Sequence, residues 1–341
     1  MSPSLPRPSR RVIAVGAAVA VGGALAAQRQ WTRRWRATDE AMAAAGLQMV
    51  DDLVHHEVST DDGGVIHAVE LGEGPPIVLV HGVTLSDAVW VRQFTALADR
   101  HRVIAIDQRG HGLSVAGDDG YTFDRLAQDL LDVLEGLAVG HAVLVGHSMG
   151  GMVSLTAALA DPGRLAKHVA GLVLMGTTAG PTTGLPLWPV VTGPMAALTG
   201  RSLALAERRG WGLFPGEDLA SWTTRVAFGT KPTPLDQELT RSLTLAMSPS
   251  AMADLLVSLV GFDVRARLGE IMLPTRIVVG SRDLLLPPFH SRRIAAAIPH
   301  AVLQVLPGCG HMVMLERPDE LNALLHEFSM SLQPDTDTGA A

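Results

Sequence analysis

The chain has 341 residues, enough to bury a large core in one big domain or two smaller ones. Apolar residues make up 47% and charged residues only 18%, a balance that excludes an intrinsically disordered chain. The net charge of −7 divides unevenly: the first 36 residues hold seven Arg and no acid, so the remainder carries 20 basic and 34 acidic residues, repels phosphate backbones and argues against nucleic acid as a partner.

Residues 12–27 form an uncharged apolar run behind Arg10-Arg11 and ahead of Arg29, Arg33, Arg34 and Arg36. A helix crossing a bilayer wants about 20 such residues, so the run is short for a span. It has no polar face, which argues against a helix packed on a domain. The expectation is that residues 1–45 form a membrane anchor, with a cleaved signal ending near Ala24-Leu25-Ala26 as the alternative. The Arg residues behind the run tend to stay inside and favour the anchor.

From residue 46 the pattern changes. His55–Ser59 and Val65–Leu71 are short alternating segments joined by Asp61-Asp62-Gly63-Gly64, which predicts a hairpin. Ile77–Val80 is apolar without alternation, as in a strand buried on both faces. Similar runs follow at Val103–Ile106, Ala142–Val145, Val169–Met175, Arg276–Val279 and Val302–Leu306, with helical stretches at Phe123–Leu137 and His290–Ile298. Strands alternating with helices predict a mostly parallel sheet covered on both sides. The alternation breaks over residues 178–262, where Leu235–Ala246 and Ala251–Val260 read as helices of an insertion. The core is therefore expected in two parts, 46–177 and 263–332, with a polar tail at 333–341.

Gly146-His147-Ser148-Met149-Gly150 follows the Ala142–Val145 strand and precedes a helix. A nucleophile projecting from a sheet edge needs a sharp strand-to-helix turn; crowding demands Gly at its flanks, and the helix N-terminus favours developing negative charge. His81-Gly82-Val83 follows the strand at 77–80, and Asp107 to Ser114 (Asp-Gln-Arg-Gly-His-Gly-Leu-Ser) follows the next. Gly280-Ser281-Arg282-Asp283 and Gly308-Cys309-Gly310-His311 follow the last two. Ser148, Asp283 and His311 thus each lie shortly after a separate strand.

Over residues 50–330 the chain resembles the α/β-hydrolase superfamily, and is most similar to small bacterial Ser-dependent esterase, lipase and perhydrolase-like members. The resemblance implies an α/β fold with a mostly parallel, doubly covered sheet and a helical cap insertion. It implies that Ser148 is the nucleophile, His311 its base and Asp283 the group that orients the base. It also implies an oxyanion hole made by the backbone N–H groups of Met149 and Val83. His81, Asp107 and Arg109 are expected to hold turns together. Asp263 is the next candidate acid.

The expected activity is hydrolysis of an apolar or amphipathic carboxylic ester, a small molecule or a lipid, through an acyl-enzyme. A lactonase, thioesterase, carbon–carbon bond hydrolase or perhydrolase shares the same residues, and a hydrolase-like binding protein is the alternative from another class. Ser at position 148, where the epoxide hydrolases and haloalkane dehalogenases of this fold carry Asp, separates the chain from their chemistry. No cofactor or metal is expected: no Gly-x-Gly-x-x-Gly opens a helix after a strand, and no Cys/His set has zinc spacing. Cys309, the one cysteine, lies beside His311 but is a weaker nucleophile candidate than Ser148. His55-His56 alternate faces and read as a solvated pair. Trp188, Met195, Trp211, Phe214, Trp222, Phe228, Met247 and Met252 read first as packing of the insertion and second as an apolar acyl pocket.

Overall fold

The computed structural model describes residues 52–181 and 224–333. The expected anchor, the polar tail beyond Gln333 and Trp188, Met195, Trp211, Phe214 and Trp222 lie outside them. Among the described residues no single helix is long and apolar enough to cross a membrane.

The hairpin forms as expected: β1 (Val54–Ser59) and β2 (Val65–Leu71) pair antiparallel in the register Val54 to Glu70. Gly63 at the turn has φ 83°, a conformation that costs other residues strain. The apolar runs become β3 (Pro76–Val80), β4 (Arg102–Ile106), β5 (Ala142–His147), β6 (Val169–Met175), β7 (Thr275–Gly280) and β8 (Val302–Leu306). Helices α1 (Val91–Leu97), α2 (Phe123–Gly136), α3 (Met149–Ala160) and α4 (Pro162–Ala166) lie between the earlier strands. Between β6 and β7 come α5 (Pro234–Ala246) and α6 (Pro249–Gly261), where the insertion was expected to be helical. Helices α7 (Pro288–Ala297), α8 (Val313–Glu316) and α9 (Pro318–Ser331) complete the chain order.

The eight strands form one sheet in the order β1-β2-β4-β3-β5-β6-β7-β8. β2 meets β4 antiparallel, and every pairing from β4 onward is parallel. The period of two in a strand divides the core between the two faces. Val78, Val80, Ile104, Leu144 and Leu174 face α2 and α3, packing on Leu126, Leu130, Leu134 and Val153. Ile77, Leu79, Val103, Val145 and Val173 face the opposite way, with Phe94, Leu321, Leu325 and Phe328. Each such side chain contributes roughly 1.5–3 kcal/mol by leaving water, so a central strand cannot slip by one residue without inverting both layers.

Successive connections leave β3 toward β4 on one side and return to β5 on the other. The carboxyl ends of β3 and β5 beside that reversal are the usual ligand position of open α/β sheets. Ser148 directly follows β5, His81-Gly82-Val83 follows β3, and Asp283 and His311 follow β7 and β8.

Candidate active site

Ser148 sits between β5 and α3 at φ 52° and ψ −115°, a strained left-handed conformation for a residue with a side chain. The turn is held from three sides. The Ser148 N–H donates to the Met175 carbonyl at 2.9 Å, and its carbonyl accepts from Gly151 N–H at 3.0 Å and Thr177 Oγ1 at 2.7 Å. Its glycines answer to crowding: a Cβ on Gly146 would meet the Gly150 carbonyl oxygen at 2.6 Å, and one on Gly150 would run into the carbonyl oxygen of Val80. Met149 is the first residue of α3, so its N–H has no intrahelical partner and points with the helix dipole. Val83 is half-buried on the neighbouring loop after β3.

Asp283 and His311 meet as the sequence order predicts. His311 Nδ1 donates to Asp283 Oδ2 at 2.8 Å, and both side chains are buried. The second carboxylate oxygen, Oδ1, accepts from Leu285 N–H at 2.9 Å and Leu286 N–H at 2.8 Å. A carboxylate held at both oxygens fixes which nitrogen of the imidazole carries the proton. Gly176, at the end of β6, makes room for the pair, since a Cβ there would lie 3.2 Å from His311 Nδ1. The Ser148 hydroxyl and His311 Nε2 form no hydrogen bond with each other. Such bonds are often long before substrate is bound and tighten in the Michaelis complex.

His81, Asp107 and Arg109 hold turns. His81 is fully buried, and burial keeps its imidazole below the usual range. Its Nε2 accepts from Gln108 N–H at 3.1 Å, its Nδ1–H donates to the Gly82 carbonyl at 2.7 Å, and Gln108 Nε2 donates back to the His81 carbonyl at 2.6 Å. Asp107 accepts from Asp87 N–H at 2.8 Å, Leu113 N–H at 3.0 Å and His67 Nδ1 at 3.0 Å. Arg109 bridges Asp129 and Asp62 with no exposed surface. Asp263 is an exposed partner of Arg265 at 2.6 Å, far less suited than Asp283 to orient an imidazole. Burial drives the Cys309 thiol well above its ordinary range, so it is a poor source of thiolate. His55 and His56 each find a cross-strand partner, His67 at 2.9 Å and Glu70 at 3.1 Å. Of the described insertion residues, Phe228 is buried in the core on one face of the sheet, Met247 packs against the core on the other, and Met252 is half-buried.

Sequence reasoning missed Glu316. Its half-buried carboxylate accepts from Gly310 N–H and Gly229 N–H, both at 2.8 Å, and so ties the loop bearing His311 to the segment after residue 224. The His311 N–H donates to the Ala227 carbonyl at 2.7 Å across the same seam. A Glu two residues before Pro318 gives no sign of this role, because its partners lie 6 and 87 residues away.

A family model described as "Alpha/beta hydrolase family" matches residues 77–324, the stretch that runs from β3 into α9. The chain belongs to the alpha/beta hydrolase family. Among relatives of this α/β hydrolase, the "Putative carbamate hydrolase RutD" of Variovorax paradoxus is 32% identical over 259 residues, covering 75% of this chain and 92% of its own. An esterase from Thermogutta terrifontis superposes with a TM-score of 0.68 at 26% identity, over 83% of this chain and 100% of that one. Esterase RhEst1 from Rhodococcus sp. ECU1013 gives 0.68 at 25%, over 82% and 99%.

Proposed function

We propose that this hydrolase cleaves a carboxylic ester of an apolar or amphipathic substrate, with Ser148 as nucleophile. The observation that carries the reading is the strained Ser148 turn at the end of β5, set on the same sheet edge as a buried Asp283–His311 pair. Ser148 Oγ attacks the carbonyl carbon as His311 Nε2 takes its proton, and Asp283 stabilises the imidazolium. The N–H groups of Val83 and Met149 face the oxygen that gains charge. Collapse expels the alcohol, which takes the proton from His311. Water then repeats the sequence on the acyl-enzyme and releases the acid. Likeness to two esterases at 25 and 26% identity supports an ester as the substrate class.

The test is Ser148→Ala, which should fold normally and lose at least about three orders of magnitude in turnover of p-nitrophenyl esters. A fluorophosphonate should label the wild type and not the variant; labelling that survives assigns the nucleophile elsewhere. Lactones, thioesters and a carbamate run beside the esters separate the rival substrates, the carbamate because of the name its relative from Variovorax carries. Binding without turnover across the set would make the chain a binding protein.

Residues 12–27 are proposed to hold the enzyme at the membrane and to add nothing to catalysis. An apolar run flanked by Arg, ahead of an acidic body, supports that division. Removing residues 1–38 should leave kcat on a short soluble ester unchanged, and the full chain should stay in the membrane pellet after an alkaline wash. An N-terminus mapped just after Ala26 would make the run a cleaved signal.

A further inference from the structure

His147 is the last residue of β5 and lies one position before Ser148. The rest of β5 is apolar or Gly, and His147 is fully buried. Its Nε2 stands 3.1 Å from the His311 carbonyl oxygen. A carbonyl only accepts, so the His147 proton is on Nε2 and Nδ1 carries a lone pair. That Nδ1 is buried and has no partner. A buried acceptor left unpaired costs stability, so a purely structural strand end would be better served by an apolar side chain.

The surroundings give the imidazole a use. Its ring centroid is 4.6 Å from that of His311. On the opposite edge, a Cβ on Gly82 would lie 2.9 Å from His147 Nδ1 and 3.0 Å from the Ser148 Cβ. His147 therefore touches the base loop on one side and the loop after β3 on the other, with Ser148 as its chain neighbour. We propose that His147 is a positioning residue for His311: its Nε2–H holds the His311 backbone carbonyl and so fixes where the base loop places its imidazole. This rests on the serine-hydrolase reading of Ser148. The role requires a neutral ring, because a second cation beside His311 would oppose proton uptake by it. Burial first, and His311 second, keep His147 well below the ordinary histidine range.

Three variants test the proposal on a short p-nitrophenyl ester, with Ser148→Ala beside them. His147→Phe keeps a flat ring and loses the N–H. It should lower kcat at least tenfold with KM within twofold, while fluorophosphonate labelling slows in parallel. His147→Gln places an amide N–H near the Nε2 position and should recover most of kcat. His147→Asn, with a shorter amide that cannot reach the His311 carbonyl, should not. A melting temperature measured on each variant separates lost fold from lost positioning. The proposal is overturned if His147→Phe keeps full kcat, if Gln and Asn behave alike, or if the loss of kcat only follows the fraction unfolded. If Ser148→Ala stays active, the serine reading has failed instead, whatever the His147 variants do.

Discussion

Among the described residues, two buried Asp–His pairs joined by a hydrogen bond lie at the carboxyl edge of this sheet, and their geometry is nearly the same. His311 Nδ1 meets Asp283 Oδ2 at 2.8 Å, and His67 Nδ1 meets Asp107 Oδ2 at 3.0 Å. In both, the carboxylate also accepts two backbone N–H groups: Leu285 and Leu286 in one, Asp87 and Leu113 in the other. The difference lies at the far nitrogen of each imidazole. His67 Nε2 is engaged by His55 on the edge strand β1 at 2.9 Å. His311 Nε2 has no hydrogen-bond partner among the described residues, and its ring lies tilted against that of His147, the residue before a strained serine. An Asp–His pair is a way to lock an imidazole; whether it does chemistry depends on what the free nitrogen can reach. His67 also sits on β2, inside a hydrogen-bonded strand, whereas His311 is carried by a loop.

The sharpest way to break this contrast is one substitution in each pair. Asp283→Asn should leave the fold intact and lower kcat by about four orders of magnitude, because the amide favours the wrong imidazole tautomer. Asp107→Asn should do the reverse. It weakens a buried pair and two backbone anchors at a cost of about 3 kcal/mol in denaturant unfolding, while the folded fraction keeps kcat within about tenfold. If Asp107→Asn proves the kinetic lesion and Asp283→Asn the structural one, the assignment of the two pairs is inverted. Glu316→Gln should have an intermediate effect. It replaces one of two carboxylate oxygens that hold Gly229 and Gly310 with a donor, which loosens the His311 loop. A fall in kcat of about tenfold with about 1–2 kcal/mol of lost stability is expected, read by steady-state kinetics and urea melts on the same preparation.

The same contrast shows what a sequence can carry. Ile77 to Val80, Val103 to Ile106 and Val169 to Met175 announce buried parallel strands because every position is apolar, and the structure extends the first two by one residue, Pro76 and Arg102. Ser148, Asp283 and His311 are legible because each follows a strand in the order this fold uses, although β8 before His311 carries Gln304 and is partly exposed. The His67–Asp107 pair is not, since its partners are 40 residues apart and His67 stands in a short strand buried from Ile66 to Val69 with nothing local to mark it. His147 looks like a filler in the Gly-His-Ser-Met-Gly turn until its ring is seen against His311. Helix α9 does carry a start signal, Pro318 at its first position with Asp319 and Glu320 in the first turn, but strand spacing alone makes no use of it. Periodicity reports on local burial; side-chain pairs across long separations leave no periodic trace.

The smallest expected effect lies in the protons of the structural pair. The hydrogen bond from His67 to Asp107 raises the His67 pKa above 6.5; burial opposes this, while the charges of Asp107, Asp87 and Glu57 add to it. A histidine whose folded pKa is raised contributes stability that is fully present below its unfolded value of 6.5 and is lost as pH rises through the folded value. His67→Gln removes that linkage while leaving a polar side chain against Asp107. The wild type should therefore melt higher than His67→Gln at about pH 6, and its lead should shrink steadily toward about pH 9. His55→Ala removes only the exposed end of the same chain. It should cost less than about 0.5 kcal/mol and leave kcat untouched at every pH, since nothing connects His55 to Ser148 except through the fold. A lead that stays flat with pH would mean that the His67–Asp107 hydrogen bond carries no proton linkage, and the two Asp–His pairs would then differ only in what lies beyond their imidazoles.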